Sequence, residues 1–125
     1  MTAKSNLEVR PIGTVRRLSD GECLLELDPA CEAGLHGAEP GGRLEVFYWM
    51  HRLGAGERRR LKVHPRGDPG RPLRGVFTLR SPMRPNPIGA TLVDIRRVEG
   101  ARLWVTGLDA LDGSPVIDIK TAGKA

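Results

Sequence analysis

The sequence contains no long apolar run. Its longest, Val46 to Met50, falls far short of the roughly 20 residues a membrane-spanning helix needs. The opening residues, Met1 to Asn6, lack the apolar core of a secretion signal, so a soluble, cytoplasmic protein is expected. Cysteine is scarce: Cys23 and Cys31 sit in no CxxC or metal-ligand spacing, so no disulfide framework is implied and ordinary reduced side chains are expected. The three histidines have no mutual metal spacing, and no metal is expected. A complete dinucleotide fingerprint is also missing. GAG at residues 54–56 supplies half of one, but Arg59 stands where the third glycine is required and no long helix follows, so the segment reads as a hairpin turn.

Acid is missing from one region. Between Arg58 and Arg84 the chain carries Arg58, Arg59, Arg60, Lys62, Arg66, Arg71, Arg74, Arg80 and Arg84 against Asp68 alone, within a formal net charge of +5. Such a stripe suits an anionic partner such as RNA, because neutralising phosphates supplies most nonspecific affinity; it also fits a solvated, solubilising face.

Helical periodicity is almost absent too, and short β-like stretches take its place. Leu7 to Leu18 is extended, with Pro11 and Gly13 marking an edge or a bend, and residues 22–28 make a second strand. Residues 29–42 read as a loop with one helical turn. Leu44 to Leu53 holds most of the aromatic residues and is expected to be a buried strand at the centre of the core. Leu61 and Val63 alternate with Lys62 and His64 as a half-buried strand, and Leu73 to Leu79 forms another. A hairpin around Glu99 and Gly100 follows. The last strand, PVIDIK, places Ile117 and Ile119 on one face and Val116, Asp118 and Lys120 on the other. The expected fold class is all-β: residues 1–125 form a single small β-barrel domain with short helical turns.

One stretch is unusually restrained. GVFTLRSPMRPNPIG, residues 75–89, holds Pro82, Pro85 and Pro87, each with φ fixed, and each pushes the residue before it out of the helical region. It fits a rigid crossover between strands, and it fits a binding loop whose polar groups Arg80, Ser81, Arg84 and Asn86 face a ligand. The string is similar, nearly residue for residue, to the GVFATRSPxRPNPIG segment of the TrmO (TsaA-like) family of S-adenosylmethionine-dependent tRNA methyltransferases. A second block, GLDALDGSPVIDIK at residues 107–120, resembles that family's GLDxxDGTPVxDIKPY segment, although the final residues here read IKTA. KVHPRGDP at residues 62–69 resembles a segment of its shorter members.

The resemblance implies a small β-barrel that dimerises with S-adenosyl-L-methionine near the subunit interface, methylating N6 of threonylcarbamoyl-adenosine beside a tRNA anticodon. Methyl transfer to a small molecule and a non-catalytic RNA-binding barrel are the alternatives. The cofactor carries no phosphate, so the missing phosphate loop is in keeping with it. Its carboxylate calls for an arginine, a hydroxyl or backbone N–H groups. The expected cofactor set is Arg80, Ser81, Arg84, Pro85, Asn86, Pro87, Ile88 and Gly89, with the Asp112 and Gly113 turn. Asp118 or Asp112 is the expected general base, Asp118 because a carboxylate between Ile117 and Ile119 should sit near the core and need a partner. His51, Lys62, His64, Arg66 and Lys120 are expected substrate contacts, and the histidines fit structural roles as well.

Overall fold

Short strands rich in branched and aromatic residues, broken at glycines, can each bury one face by curling into a closed sheet. The computed structural model, which describes residues 6–19 and 21–123, shows that outcome. The strands are β1 (Gly13–Arg17), β2 (Glu22–Leu27), β3 (Arg43–Trp49), β4 (Lys62–Val63), β5 (Arg74–Gly75), β6 (Ile88–Glu99), β7 (Arg102–Thr106) and β8 (Pro115–Thr121). Six of them close an antiparallel barrel in the order β1-β2-β7-β6-β3-β8, while β4 and β5 pair separately as a small ribbon. Val15, Leu25, Val46, Val93, Leu103, Val105 and Val116 fill the interior and are essentially sealed from solvent. Each contributes roughly 1.5–3 kcal/mol by leaving water.

The two ends of the barrel differ. Between β2 and β3 a 3-10 segment, Pro29–Leu35, is started by the Asp28 carboxylate accepting from the Ala30 N–H, and it buries Leu35 in the core. At the other end, the segments leaving Trp49, entering Ile88 and joining Thr106 to Pro115 stand open. Cys23 is fully buried, and burial pushes its thiol pKa up, so it stays protonated and inert; Cys31 is partly exposed.

Several local expectations are corrected. Residues 73–79 are not one strand: β5 covers only Arg74–Gly75, and Val76–Thr78 turns as a 3-10 helix that buries Val76 and leaves Phe77 72% exposed. The 54–56 segment is not a hairpin turn. Gly54 caps a one-turn helix, α1 (Ala55–Arg58), with its backbone N–H donating to the Glu57 carboxylate. Leu61 is 55% exposed, so the strand read around it shrinks to β4, outside the barrel.

The largest correction lies in β8. Phe47 pairs with Asp118 while Tyr48 pairs with Val116, so Ile117 is an extra residue and the strict alternation breaks. Val116 and Ile119 both face the core, Ile117 lies against an outer groove, and Asp118 is exposed. Asp118 therefore needs no buried partner. Its ion pair with Lys120, 3.3 Å across and open to solvent, is worth less than about 1 kcal/mol.

Candidate functional site

The arginine- and proline-bearing loop, residues 79–87, arches over the open end of the barrel. Its shape is held from inside and outside. The Arg84 guanidinium turns back into the loop and donates to the carbonyls of Leu79 (3.3 Å) and Ser81 (2.7 Å). The Ser81 hydroxyl accepts from the Met83 N–H at 3.2 Å. From outside, the Met50 N–H donates to the Pro87 carbonyl at 2.7 Å, and Arg58 donates from Nε to the Pro85 carbonyl at 3.0 Å. Arg58, the last residue of α1, also lies over the Trp49 ring, 5.3 Å from its centroid, so α1 carries this clamp. Pro87 is buried as the anchor of the arch.

Beneath the arch lies a cleft of about 680 Å³, lined by loop residues Leu79, Arg80, Pro82 and Arg84 and by the barrel rim at Tyr48, Gly89, Thr91 and Asp109. That volume lies within the range of small-molecule sites. Tyr48 explains how the rim is built. Its ring packs over Gly89, its cross-strand neighbour, where a Cβ would come within 2.4 Å of the ring. The Tyr48 hydroxyl donates to the Asp109 carbonyl and shares a 3.1 Å hydrogen bond with the Thr91 hydroxyl. From the other side, Arg17 donates to the carbonyls of Leu108 (3.0 Å) and Ala110 (2.8 Å). The connection carrying Asp109 is thus gripped on both flanks, and Asp109 is the one carboxylate among the residues lining the cleft.

This grip makes a local prediction. Arg17→Met strips two carbonyls of their donor, and hydrogen exchange at residues 108–111 is expected to speed at least tenfold while protection of β3 and β6 is unchanged. Equal acceleration throughout the barrel would contradict it.

The two arginines of the arch have different tasks. Arg84 is occupied by the loop it shapes. Arg80 is exposed, makes one long 3.3 Å contact to the Ala90 carbonyl, and has no carboxylate partner among the described residues. Of the two, Arg80 is the guanidinium that the loop's own hydrogen bonds leave largely uncommitted.

The structure separates the other expected site residues. Arg80, Arg84, Ile88 and Gly89 line the cleft with the barrel rim, whereas Ser81 faces the opposite side of the loop and Asn86 an outer groove with Trp49 and Ile117. Pro85 and Pro87 act through their carbonyls as anchors. Asp112 and Gly113 stand outside the cleft: the Asp112 carboxylate accepts from the Arg17 N–H at 2.9 Å, and the Gly113 N–H donates to the Val15 carbonyl at 2.7 Å, in a tight turn at the end of β1. Asp118 and Lys120 line a different cleft at the closed end, with Leu35 and His36. His64 and Arg66 lie behind the arch; His51 and Lys62 are exposed and line neither cleft. Sequence reasoning missed Tyr48, Arg17 and Asp109. Asp109 lies in the GLDALDGSPVIDIK block three residues before the Asp112–Gly113 turn, and nothing in the local pattern separates the two aspartates.

Among the described residues no group of His, Cys, Asp or Glu is arranged to hold a metal ion, and no helix is long and apolar enough to cross a membrane.

A closed six-stranded barrel whose open end is roofed by a proline-stiffened, arginine-bearing arch places the chain in the class of small-barrel proteins related to S-adenosyl-L-methionine-binding proteins and tRNA-methyltransferase domains. The chain belongs to the TrmO family: residues 10–123 match the tRNA-methyltransferase O N-terminal domain. It is 43% identical to an S-adenosyl-L-methionine-binding protein of Archaeoglobus fulgidus, over 90% of this chain and 86% of that one. A probable S-adenosyl-L-methionine-binding protein of Methanocaldococcus jannaschii is 42% identical, over 90% and 89%. A crystal structure of TrmO superposes with a TM-score of 0.73 at 30% identity, covering 95% of this chain. TrmO from Pseudomonas aeruginosa superposes with a TM-score of 0.72 at 27% identity, again over 95%. The chain spans 58% and 57% of those two TrmO chains.

Proposed function

We propose that this chain binds S-adenosylmethionine beneath the arch and transfers its methyl group to N6 of threonylcarbamoyl-adenosine beside a tRNA anticodon, acting as a cytoplasmic homodimer. The observation that carries the reading is that Arg80 and Asp109, each on a separately braced segment, both line one cleft of cofactor size. The donor set suits the cofactor: an unpaired guanidinium for its carboxylate, a carboxylate for ribose hydroxyls or a departing proton, and apolar walls at Met50, Phe77 and Leu79 for the adenine.

When bound, the cofactor supplies a methyl group activated by its sulfonium. What remains for the protein is orientation, exclusion of water and one proton. Holding two reactants aligned can account for about 7–11 kcal/mol of a barrier. The arch, with three φ angles fixed by proline and its carbonyls clamped by Arg84, Arg58 and Met50, loses little freedom on closing over a ligand. The acceptor nitrogen gives up a proton as its new carbon bond forms, and Asp109 replaces Asp112 and Asp118 in this reading as the general base. Homodimer formation is supported by exposed apolar residues on the outer face of β6, Ile88 (39%) and Leu92 (49%), and by Leu7 and Val9 along the same groove as Ile88.

Calorimetry with S-adenosylmethionine and mass spectrometry of tRNA nucleosides test the two halves. Heat on cofactor addition and a methylated threonylcarbamoyl-adenosine peak that vanishes on gene deletion are expected. No heat would leave a non-catalytic RNA-binding barrel, and an unchanged peak would redirect the transfer to a small molecule.

A further inference from the structure

Behind the arch, on the side away from the barrel, lies a second cleft of about 590 Å³ that the reading above leaves without a task. It forms where the β4–β5 excursion folds against residues 79–83. Arg66, Arg71, Arg74 and Arg80 all line it, together with His64 and Ser81, and no carboxylate is among its lining residues. Arg66, Arg71 and Arg74 bring like charge to one concavity, while the Arg80 guanidinium reaches the Ala90 carbonyl of the first cleft. The nearest acid, Asp68, reaches only Arg71, at 3.7 Å.

A separate observation points to the same place. Arg66 adopts φ 56° and ψ 23°, the left-handed conformation that glycine or asparagine takes with ease and arginine does not. Backbone strain of this kind marks functional sites, and here it sets a guanidinium at the cleft wall. His64 braces the wall of the cleft. Its Nδ1 lies 2.6 Å from the Arg71 carbonyl, which can only accept, so Nδ1 carries the proton and Nε2 is turned to the other edge of the ring.

The two clefts share a wall. Leu79, Arg80 and Pro82 line both, so a group held behind the arch is one ridge away from the methyl donor's cleft. We infer that the second cleft is an anion subsite for the methyl acceptor, gripping a carboxylate or phosphate close to the atom that is methylated. The inference rests on the cofactor occupying the first cleft. Two sources offer the same chemistry: a backbone phosphate of the RNA, or the carboxylate of the threonyl group on the modified base.

The test is calorimetric, in the presence of S-adenosylhomocysteine, with wild-type protein and with Arg66→Gly and Arg71→Met singly and together. Arg66→Asn serves as a second variant suited to the left-handed backbone. The probes are N6-threonylcarbamoyladenosine as the free nucleoside, its methyl ester, and an unmodified anticodon stem-loop RNA. The double variant is expected to bind at least one anionic probe ten-fold or more weakly, with S-adenosylhomocysteine affinity within two-fold of wild type and Tm unchanged or raised. A loss seen with the nucleoside, and matched by the methyl ester on wild-type protein, assigns the carboxylate; a loss confined to the RNA assigns a phosphate. Equal binding by wild type and variants, or no binding of any probe to wild type, overturns the subsite. Repeating the titrations without S-adenosylhomocysteine separates the two readings, because failure of the cofactor to bind leaves the arginine dependence of the anion readable by itself.

Discussion

Replacing Gly89 with alanine is expected to destabilise the protein by about 2–4 kcal/mol and to weaken S-adenosylmethionine binding at least 100-fold. The added Cβ would lie 2.4 Å from two carbons of the Tyr48 ring and 2.8 Å from its hydroxyl. The ring cannot yield inward, because Tyr48 is 6% exposed and packed into the barrel core with Val46 and Val93. It must swing outward or force the β3–β6 pair apart. Either movement breaks the hydroxyl's bonds to Thr91 and to the Asp109 carbonyl, and so loosens the cleft wall together with the core. Overpacking contributes about 1–3 kcal/mol and the lost hydrogen bonds about 1 kcal/mol more. Urea unfolding and calorimetry read the two effects. Tyr48→Phe keeps the ring and loses only the hydroxyl, so it is expected to lose about 1 kcal/mol and much less affinity. A Gly89→Ala protein with wild-type stability and wild-type cofactor affinity would show that this aromatic–glycine pair does not set the cleft.

The second large effect separates the arginines of the arch. Arg80→Met is expected to weaken cofactor binding about 10- to 100-fold, the range of one charge-assisted hydrogen bond, at unchanged stability. The reason is that Arg80 is exposed and makes only a single long contact within the protein. Arg80→Lys should recover little of the loss, since an ammonium cannot present the planar fork a carboxylate accepts. Arg84→Met is expected to behave differently. It leaves the Leu79 and Ser81 carbonyls without their donor, so the arch itself loosens, and affinity falls along with a loss of about 1–2 kcal/mol in stability. Identical profiles for the two variants would remove the distinction between ligand contact and internal brace.

The strands of the barrel were largely legible because their signals are local. β2, β3 and the β6–β7 hairpin follow from branched and aromatic runs bounded by glycine, and the Glu99–Gly100 turn joins the hairpin where expected, with Gly100 at φ 60°. What the sequence could not disclose depends on contacts far apart along the chain. The bulge at Ile117 is created by pairing with β3, and it carries Asp118 to the outside where period-two counting puts it near the core. Val76 to Thr78 reads as strand by composition. In the fold it is a 3-10 turn that buries Val76 and exposes Phe77.

The site shows the same division. The arch was visible because prolines act on their own neighbours. Arg17 and Tyr48, by contrast, reach carbonyls more than sixty residues away, and nothing in their local sequence announces it. Asp109 and Asp112 sit in one short block with one chemistry. Only the fold decides that the first borders the cleft and the second caps β1.

A crystal structure of the protein with S-adenosylhomocysteine tests the central claim most directly. The nucleoside is expected beneath the arch, its amino-acid carboxylate on Arg80 and its sugar or sulfur beside Asp109. Density for it at the closed end of the barrel, beside Leu35 and Lys120, or in the outer groove along Trp49 and Ile117, would contradict the account.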